Sequence, residues 1–183
     1  MERLLDALRR EPRFLAVLGP SGSGKSSVVQ AGLIPKLRRG GLPGSDRWGI
    51  ITARPGERPQ QSLEAAGLAG AEGGLVEAAR SWLERNPEKT RLVLILDQFE
   101  ELFATASTAD AAEFLRQLYS LLQADLPLTL MLIMRDDFFS RLAKEAPPAL
   151  FEWVQRGFVH ISATLEEGEI AEIIECPARK VGL

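Results

Sequence analysis

Cysteine, histidine and long apolar stretches are all scarce in this sequence. The chain of 183 residues has one cysteine, Cys176, and one histidine, His160. A single cysteine excludes an intramolecular disulfide and a zinc site built from several cysteines, and it is typical of a reducing cytoplasm, where we expect this protein. No run of about 18 apolar residues occurs, so the sequence predicts no transmembrane helix.

The chain also has little net charge of either sign. Its formal charge is −3 and its pI about 5.4, with 45% hydrophobic and 26% charged residues. Because no overall positive field exists to attract nucleic acid or an anionic membrane, we expect neither as a partner. The length suits one domain with a proper core. Since residues 176–183 read as a helix and its exit, we expect residues 1–183 to be a single core domain cut from a larger multidomain protein.

Short apolar runs separated by helical patterns predict an α/β fold. Continuous rather than alternating apolar runs are expected where helices cover both faces of a sheet, so we predict three layers with a mostly parallel sheet. The predicted strands are Phe14–Leu18, Trp48–Ala53, Leu92–Leu96, Leu128–Met134 and, more weakly, Phe158–Ser162. The predicted helices are Lys25–Lys36, Gln61–Leu68, Leu75–Arg85, Asp110–Ala124 with Asp110 as its cap, Asp136–Lys144 and Glu167–Ile174.

A glycine-rich segment between the first strand and the first of these helices matches the phosphate-binding pattern G-x-x-x-x-G-K-[ST]. In this pattern glycines bring backbone N–H groups close to phosphates, and the following helix directs its positive end at the same anion. The lysine supplies a cation for the β- and γ-phosphates, and the serine supplies a hydroxyl for Mg²⁺. The predicted nucleotide-binding residues are Gly19, Pro20, Ser21, Gly22, Ser23, Gly24, Lys25, Ser26 and Ser27.

Three carboxylates follow the third strand, in the stretch Leu92–Phe103. Asp97 ends the strand, where a carboxylate can hold Mg²⁺ through water together with Ser26; the alternative is an aspartate that caps a turn. Glu100 and Glu101 come three and four residues later. One of them, with Glu100 slightly favoured, can orient or deprotonate an attacking water, or both can be solvated charges at a helix start.

Together these segments resemble the bacterial STAND class of signal-transduction NTPases, and most closely its "novel STAND" group. The residues that carry the resemblance are GPSGSGKSSVVQAGLIPKL, LDQFEELF, WGIITARPGERP and MRDDFFSRL, so it extends over nearly the whole chain. The resemblance implies an additional-strand P-loop fold with strand order 5-1-4-3-2. It also implies ATP with Mg²⁺ as cofactors, self-association, and effector or repeat domains in the full-length protein.

Arg135, at the end of the fourth strand, resembles the family's sensor-1 arginine, which contacts the γ-phosphate. The alternative is an arginine paired with a neighbouring aspartate on the surface. Asp136 and Asp137 are expected to cap the next helix rather than bind metal. Arg54-Pro55-Gly56, after the second strand, recurs in the family and is expected to form a turn.

The function that these features predict is a slow, Mg²⁺-dependent ATPase that acts as a nucleotide-dependent oligomerisation switch in signalling or defence. Lys25, Glu100, Glu101 and Arg135 are its predicted catalytic residues, and Ser26 and Asp97 its predicted metal ligands. Two alternatives remain, an AAA-like remodelling ATPase and a scaffold that binds ATP without hydrolysis. A P-loop kinase is less favoured, and a GTPase is disfavoured because no Asn-Lys pair occurs.

Overall fold

Five parallel strands form the centre of the structure, a computed structural model that describes residues 1–162. Their order across the sheet is β2-β3-β4-β1-β5, which confirms the predicted order 5-1-4-3-2 read from the opposite edge. Every neighbouring pair is parallel, so all five carboxyl ends lie along one edge. The strands are β1 (Phe14–Gly19), β2 (Trp48–Ala53), β3 (Arg91–Leu96), β4 (Leu128–Arg135) and β5 (Phe158–His160).

Helices cover both faces of this sheet. They are α1 (Glu2–Arg10), α2 (Lys25–Ser27), α3 (Ile34–Arg38), α4 (Pro59–Ala65), α5 (Leu75–Arg85), α6 (Glu100–Thr105), α7 (Thr108–Gln123), α8 (Phe139–Glu145) and α9 (Pro148–Arg156). A π-helical turn, Val28–Leu33, joins α2 to α3, so residues 25–38 form one continuous helical segment, which we name the P-loop helix. Within residues 1–162 no helix is long and apolar enough to cross a membrane.

Alternate residues of the strands belong to two separate cores. Leu15 and Val17 of β1 pack in the core formed with α1 and the P-loop helix. Phe14, Ala16 and Leu18 face the other core, which the helices from α4 to α9 complete. Every residue of β1 is therefore buried, and this double coverage explains its continuous apolar sequence.

The start of α7 differs from the predicted one because a local cap sets it. α7 begins at Thr108, and its cap is Ser107, whose hydroxyl accepts from the Asp110 backbone N–H at 3.1 Å. The prediction of Asp110 as the cap is therefore wrong, because Asp110 already lies in the first helical turn. The sequence patterns also missed α1 as a defined helix and missed α9 entirely. The predicted helix Glu167–Ile174 lies outside the described residues.

Candidate nucleotide and magnesium site

The phosphate-binding loop connects β1 to the P-loop helix at the carboxyl edge of the sheet. Gly22 and Gly24 have φ angles of 76° and 78°, in the left-handed region that favours glycine. At Gly19 a side chain would collide with the carbonyl oxygen of Ile161, whose N–H donates to Leu18 on β1. The glycines of the motif thus serve two purposes, since two make the turn and one allows the chain after β5 to pass closely.

Lys25 is buried against this loop, with 8% of its surface exposed. Its ammonium group donates to the carbonyl oxygens of Gly19 and Pro20, at 2.9 and 2.7 Å, and is 3.4 Å from the hydroxyl of Ser23. A lysine held in this way has its cation already at the loop, and its flexible stem allows it to exchange carbonyl partners for phosphate oxygens.

The charge environment of Lys25 is mixed. Burial lowers the pKa of its ammonium group from the ordinary value, and the positive charge of Arg135 acts in the same direction. The carboxylates of Glu100, Asp136 and Asp97 oppose this change and favour the charged lysine. A further anion, such as a phosphate, would favour the charged form still more.

Asp97 is the polar centre of the site and is almost completely buried, with 1% exposure. Its Oδ1 accepts from the Ser26 hydroxyl at 2.6 Å and from the Gln98 backbone N–H at 2.9 Å. Its Oδ2 accepts from the side-chain amide of Gln30 at 3.0 Å. The two predicted metal ligands are therefore in contact, and Gln30 joins them although the sequence analysis did not select it.

The turn after β3 accounts for the distance between the aspartate and the two glutamates. Gln98 has a φ of 52°, which costs a residue with a side chain about 1–2 kcal/mol. Phe99 is fully buried, and its N–H donates to the carbonyl of Ile133 on β4 at 2.9 Å. One residue thus turns the chain and the next anchors it in the core, so α6 can begin only at Glu100.

The two glutamates point to different surroundings. Glu100 lies on the wall of the phosphate pocket, and its Oε2 accepts from the backbone N–H of Arg135 at 3.3 Å. Among the described residues that line this pocket, Glu101 is absent. Its backbone N–H donates to the carbonyl of Gln98, and its carbonyl accepts from the Thr105 hydroxyl. Glu100 is therefore the glutamate that lines the pocket together with Lys25 and Asp97.

Arg135 reaches the pocket wall but pairs with its own neighbour. Its guanidinium donates to both carboxylate oxygens of Asp137, at 3.0 and 2.6 Å, and this bond raises the pKa of Arg135. Asp136 instead bonds to the His160 ring at 3.1 Å. The prediction that Asp136 and Asp137 cap the next helix is wrong, because α8 starts after Phe138 without a side-chain cap and both carboxylates have other partners.

These groups enclose a pocket of about 320 Å³. Ser26 and Asp97 offer a hydroxyl and a carboxylate oxygen, the hard donors that Mg²⁺ uses together with substrate phosphates. Their contact fits a metal held by Ser26 and, through water, by Asp97. The pocket is lined by Ser21, Gly22, Gly24, Lys25, Ser26, Ser27, Asp97, Gln98, Glu100, Ile133 and Arg135.

The family model for novel STAND NTPase 1 matches residues 1–183. The chain belongs to this family. The match confirms the resemblance that the four quoted segments indicated, and it identifies the chain as an NTPase domain of the STAND type. No curated protein matches the sequence significantly.

Solved structures similar to this STAND domain are P-loop ATPases. The ORC2 protein of Aeropyrum pernix, solved with ADPNP and ADP, has 14% identity and a TM-score of 0.65 over 95% of this chain and 48% of its own. A Walker-type ATPase of Pyrococcus abyssi has 18% identity and a TM-score of 0.58 over 100% of this chain and 57% of its own.

The ADP complex of Hsp104 from S. cerevisiae has 17% identity and a TM-score of 0.60, over 95% of this chain and 23% of its own. At these identities the likeness concerns the fold alone. The STAND domain spans about half the length of the ORC2 protein.

Proposed function

We propose that this STAND domain binds ATP with Mg²⁺, hydrolyses it slowly, and uses the nucleotide state as an oligomerisation switch in signalling or defence. The observation that carries the proposal is the 2.6 Å contact between Ser26 and Asp97 inside the pocket that Lys25 and Glu100 also line. The four groups supply what hydrolysis requires: a cation for the phosphates, two metal-binding oxygens and a carboxylate near the attacking water.

Binding begins with the phosphate loop. The backbone N–H groups from Ser21 to Ser26 surround the β-phosphate, and Lys25 exchanges its bonds to Gly19 and Pro20 for bonds to phosphate oxygens. Mg²⁺, when bound, neutralises charge on the β- and γ-phosphates. Ser26 and Asp97 are the residues that would hold the metal, and Asp97 would keep its position because its buried carboxylate already accepts three hydrogen bonds.

Hydrolysis follows by attack of a water oxygen on the γ-phosphorus. The bond to the bridging oxygen breaks, ADP leaves with the electron pair, and Glu100 orients the water and accepts its proton. The Glu100 side chain stands on the pocket wall, fixed by the Arg135 N–H. Arg135 is paired with Asp137 on the exposed surface, and because such a pair contributes little in water, the guanidinium can exchange the aspartate for the γ-phosphate.

The switch requires that the state of the γ-phosphate reaches a distant part of the molecule. Glu100 bonds to the backbone of Arg135, and the next residue, Asp136, bonds to His160 at the end of β5. Movement of the segment from Arg135 to Asp137 would therefore alter the contacts of β5. For near-complete inversion of a two-state equilibrium, the two nucleotides must differ in their preference for the two states by about 5.5 kcal/mol.

A ligand-binding experiment tests the proposal. At one hundred times its Kd, ATP with Mg²⁺ should stabilise the wild-type chain by about 2.7 kcal/mol in thermal unfolding. Lys25→Ala should unfold at a similar temperature without nucleotide and show no shift with it, because the phosphates lose their cation. An equal shift in Lys25→Ala would contradict the assigned site. Single-turnover hydrolysis separates a switch from a scaffold, since binding without any turnover would contradict the ATPase assignment.

A further inference from the structure

The contact between Gln30 and Asp97 links the metal site to a residue outside the phosphate-binding pattern, which ends at Ser26. The Gln30 amide nitrogen is 3.0 Å from Asp97 Oδ2. Among the described residues, Oδ1 has two hydrogen-bond donors, Ser26 and the Gln98 backbone, whereas Oδ2 has only Gln30. Because Asp97 is 1% exposed, loss of the Gln30 bond leaves a buried carboxylate oxygen without a donor.

The helix geometry explains how Gln30 reaches the aspartate. It lies four residues after Ser26, one turn further along the same face of the P-loop helix. It also lies within the π-helical turn Val28–Leu33, a wide turn that recurs at functional sites. The residue itself is exposed, so its side chain contributes little to either core. An exposed glutamine that gives up rotamer freedom for a buried carboxylate is placed for that bond rather than for packing.

We propose that Gln30 is a positioning residue for the magnesium site, holding Asp97 Oδ2 so that Oδ1 stays directed at Ser26 and the phosphate pocket. The inference rests on the proposed function, because it requires that Ser26 and Asp97 bind Mg²⁺ with the nucleotide. Without the amide, the carboxylate can rotate about its Cβ–Cγ bond and move Oδ1 out of line with the Ser26 hydroxyl. Partners that orient metal ligands typically change metal affinity by about 10- to 100-fold when removed.

The test measures Mg²⁺-dependent binding of a fluorescent, non-hydrolysable ATP analogue to the chain. Gln30→Leu and Gln30→Met keep the approximate size of the side chain and its helix propensity but remove the donor. In EDTA both variants should bind the analogue as the wild type does. In a Mg²⁺ titration the half-saturating Mg²⁺ concentration should rise roughly tenfold or more. Gln123→Leu, the same change at the exposed end of α7 near the opposite edge of the sheet, should behave as wild type.

The outcomes separate this inference from the proposed function. A wild-type chain that binds no analogue, or binds it without any response to Mg²⁺, overturns both. A wild type that responds to Mg²⁺, with both Gln30 variants responding at the same concentration, overturns the role of Gln30 alone. Weaker binding of both variants in EDTA also overturns it, because a general structural defect lowers affinity with and without the metal.

Discussion

A cation bonded to backbone carbonyl groups lies at each end of the central sheet. At the amino end, the Arg13 guanidinium donates to three carbonyl oxygens, those of Leu122, Ala124 and Leu126, at 2.8, 2.7 and 3.2 Å. At the carboxyl end, the Lys25 ammonium donates to those of Gly19 and Pro20. The two interactions have similar chemistry, but their surroundings differ.

The partners of Arg13 are carbonyls at and just beyond the end of α7, which ends at Gln123. Carbonyl groups at the end of a helix have no N–H donor within the helix. The planar guanidinium donates to several of these carbonyls at once and so fixes the connection from α7 to β4. The partners of Lys25 lie in a loop beside an open pocket, where an incoming phosphate can replace them. A bond from a cation to backbone carbonyls therefore stabilises the fold at Arg13, where no ligand can compete for the cation. At Lys25 the same kind of bond holds the cation ready for a phosphate, which can replace the carbonyls.

The largest effect should come from the carboxyl end, where Glu100→Gln is expected to slow ATP hydrolysis by about 100-fold or more. The amide keeps the size of the side chain but cannot accept the proton of the attacking water. Nucleotide affinity and unfolding temperature should stay near those of the wild type. Single-turnover hydrolysis and equilibrium binding measure these two properties separately.

Glu101→Gln is the matched control for this variant, because Glu101 lies next in sequence and outside the pocket wall. Its hydrolysis rate should stay within a fewfold of wild type. A large loss of turnover in Glu101→Gln with normal turnover in Glu100→Gln would exchange the roles of the two glutamates. Equal losses in both would indicate an effect on α6 rather than on the reacting water.

At the amino end we expect a loss of stability without a loss of nucleotide binding. Arg13→Ala should lower the free energy of unfolding by about 2 kcal/mol. Its three carbonyl partners lose a charged donor, and hydrogen bonds to charged groups contribute about 1.5–3 kcal/mol each without being additive. Urea denaturation measures the change, and nucleotide affinity should not change. Arg10→Ala, an exposed arginine at the end of α1, should change stability by at most about 0.5 kcal/mol.

A loss of stability in Arg10→Ala as large as that in Arg13→Ala would show that surface charge, and not the carbonyl bonds, is responsible. A loss of nucleotide affinity in Arg13→Ala would remove the distinction between the two ends of the sheet. Only the second result would require that the amino end of the sheet is coupled to the pocket.

The strands and the phosphate loop could be predicted because their signals are local. The runs Phe14–Leu18 and Leu128–Met134 are apolar throughout, which double burial requires, and the glycine-lysine motif is contiguous in sequence. α9 was missed although Leu150, Phe151, Trp153 and Val154 have helical spacing, because a segment of nine residues is too short for its apolar residues to separate a helix from other structure. The strand order was available only from the family resemblance, since parallel strands are joined by crossovers of any order.

The parts of the site that escaped prediction depend on contacts through space. Gln30 reaches Asp97 only because the P-loop helix packs beside β3 with its π-helical turn facing that strand's end. His160 meets Asp136 because β5 pairs with β1, which in turn pairs with β4. The Arg135–Asp137 pair was one of two alternatives that the sequence left open. Composition and spacing do not determine which partner a charged side chain selects.

The smallest effect is expected at the His160–Asp136 contact, which joins β5 to the segment after β4. The hydrogen bond from His160 lowers the pKa of Asp136, because it favours the charged carboxylate. A lowered pKa stabilises the fold at pH values above that of an unfolded aspartate, and this contribution is lost as the pH falls through the lowered value. His160→Phe removes the donor and keeps a ring, so the Asp136 pKa should rise towards its ordinary value.

Carboxyl NMR signals followed through an acid titration measure this shift. Phe158→Leu is the matched control, since Phe158 lies two residues earlier on the same face of β5, is 50% exposed, and leaves the hydrogen bond in place. The control should leave the Asp136 pKa unchanged. If His160→Phe also leaves it unchanged, the contact does not form in solution, and the proposed route from the nucleotide pocket to β5 loses its last step. If the pKa rises only in His160→Phe, the same variant can then be used to ask whether ATP and ADP still produce different states of β5.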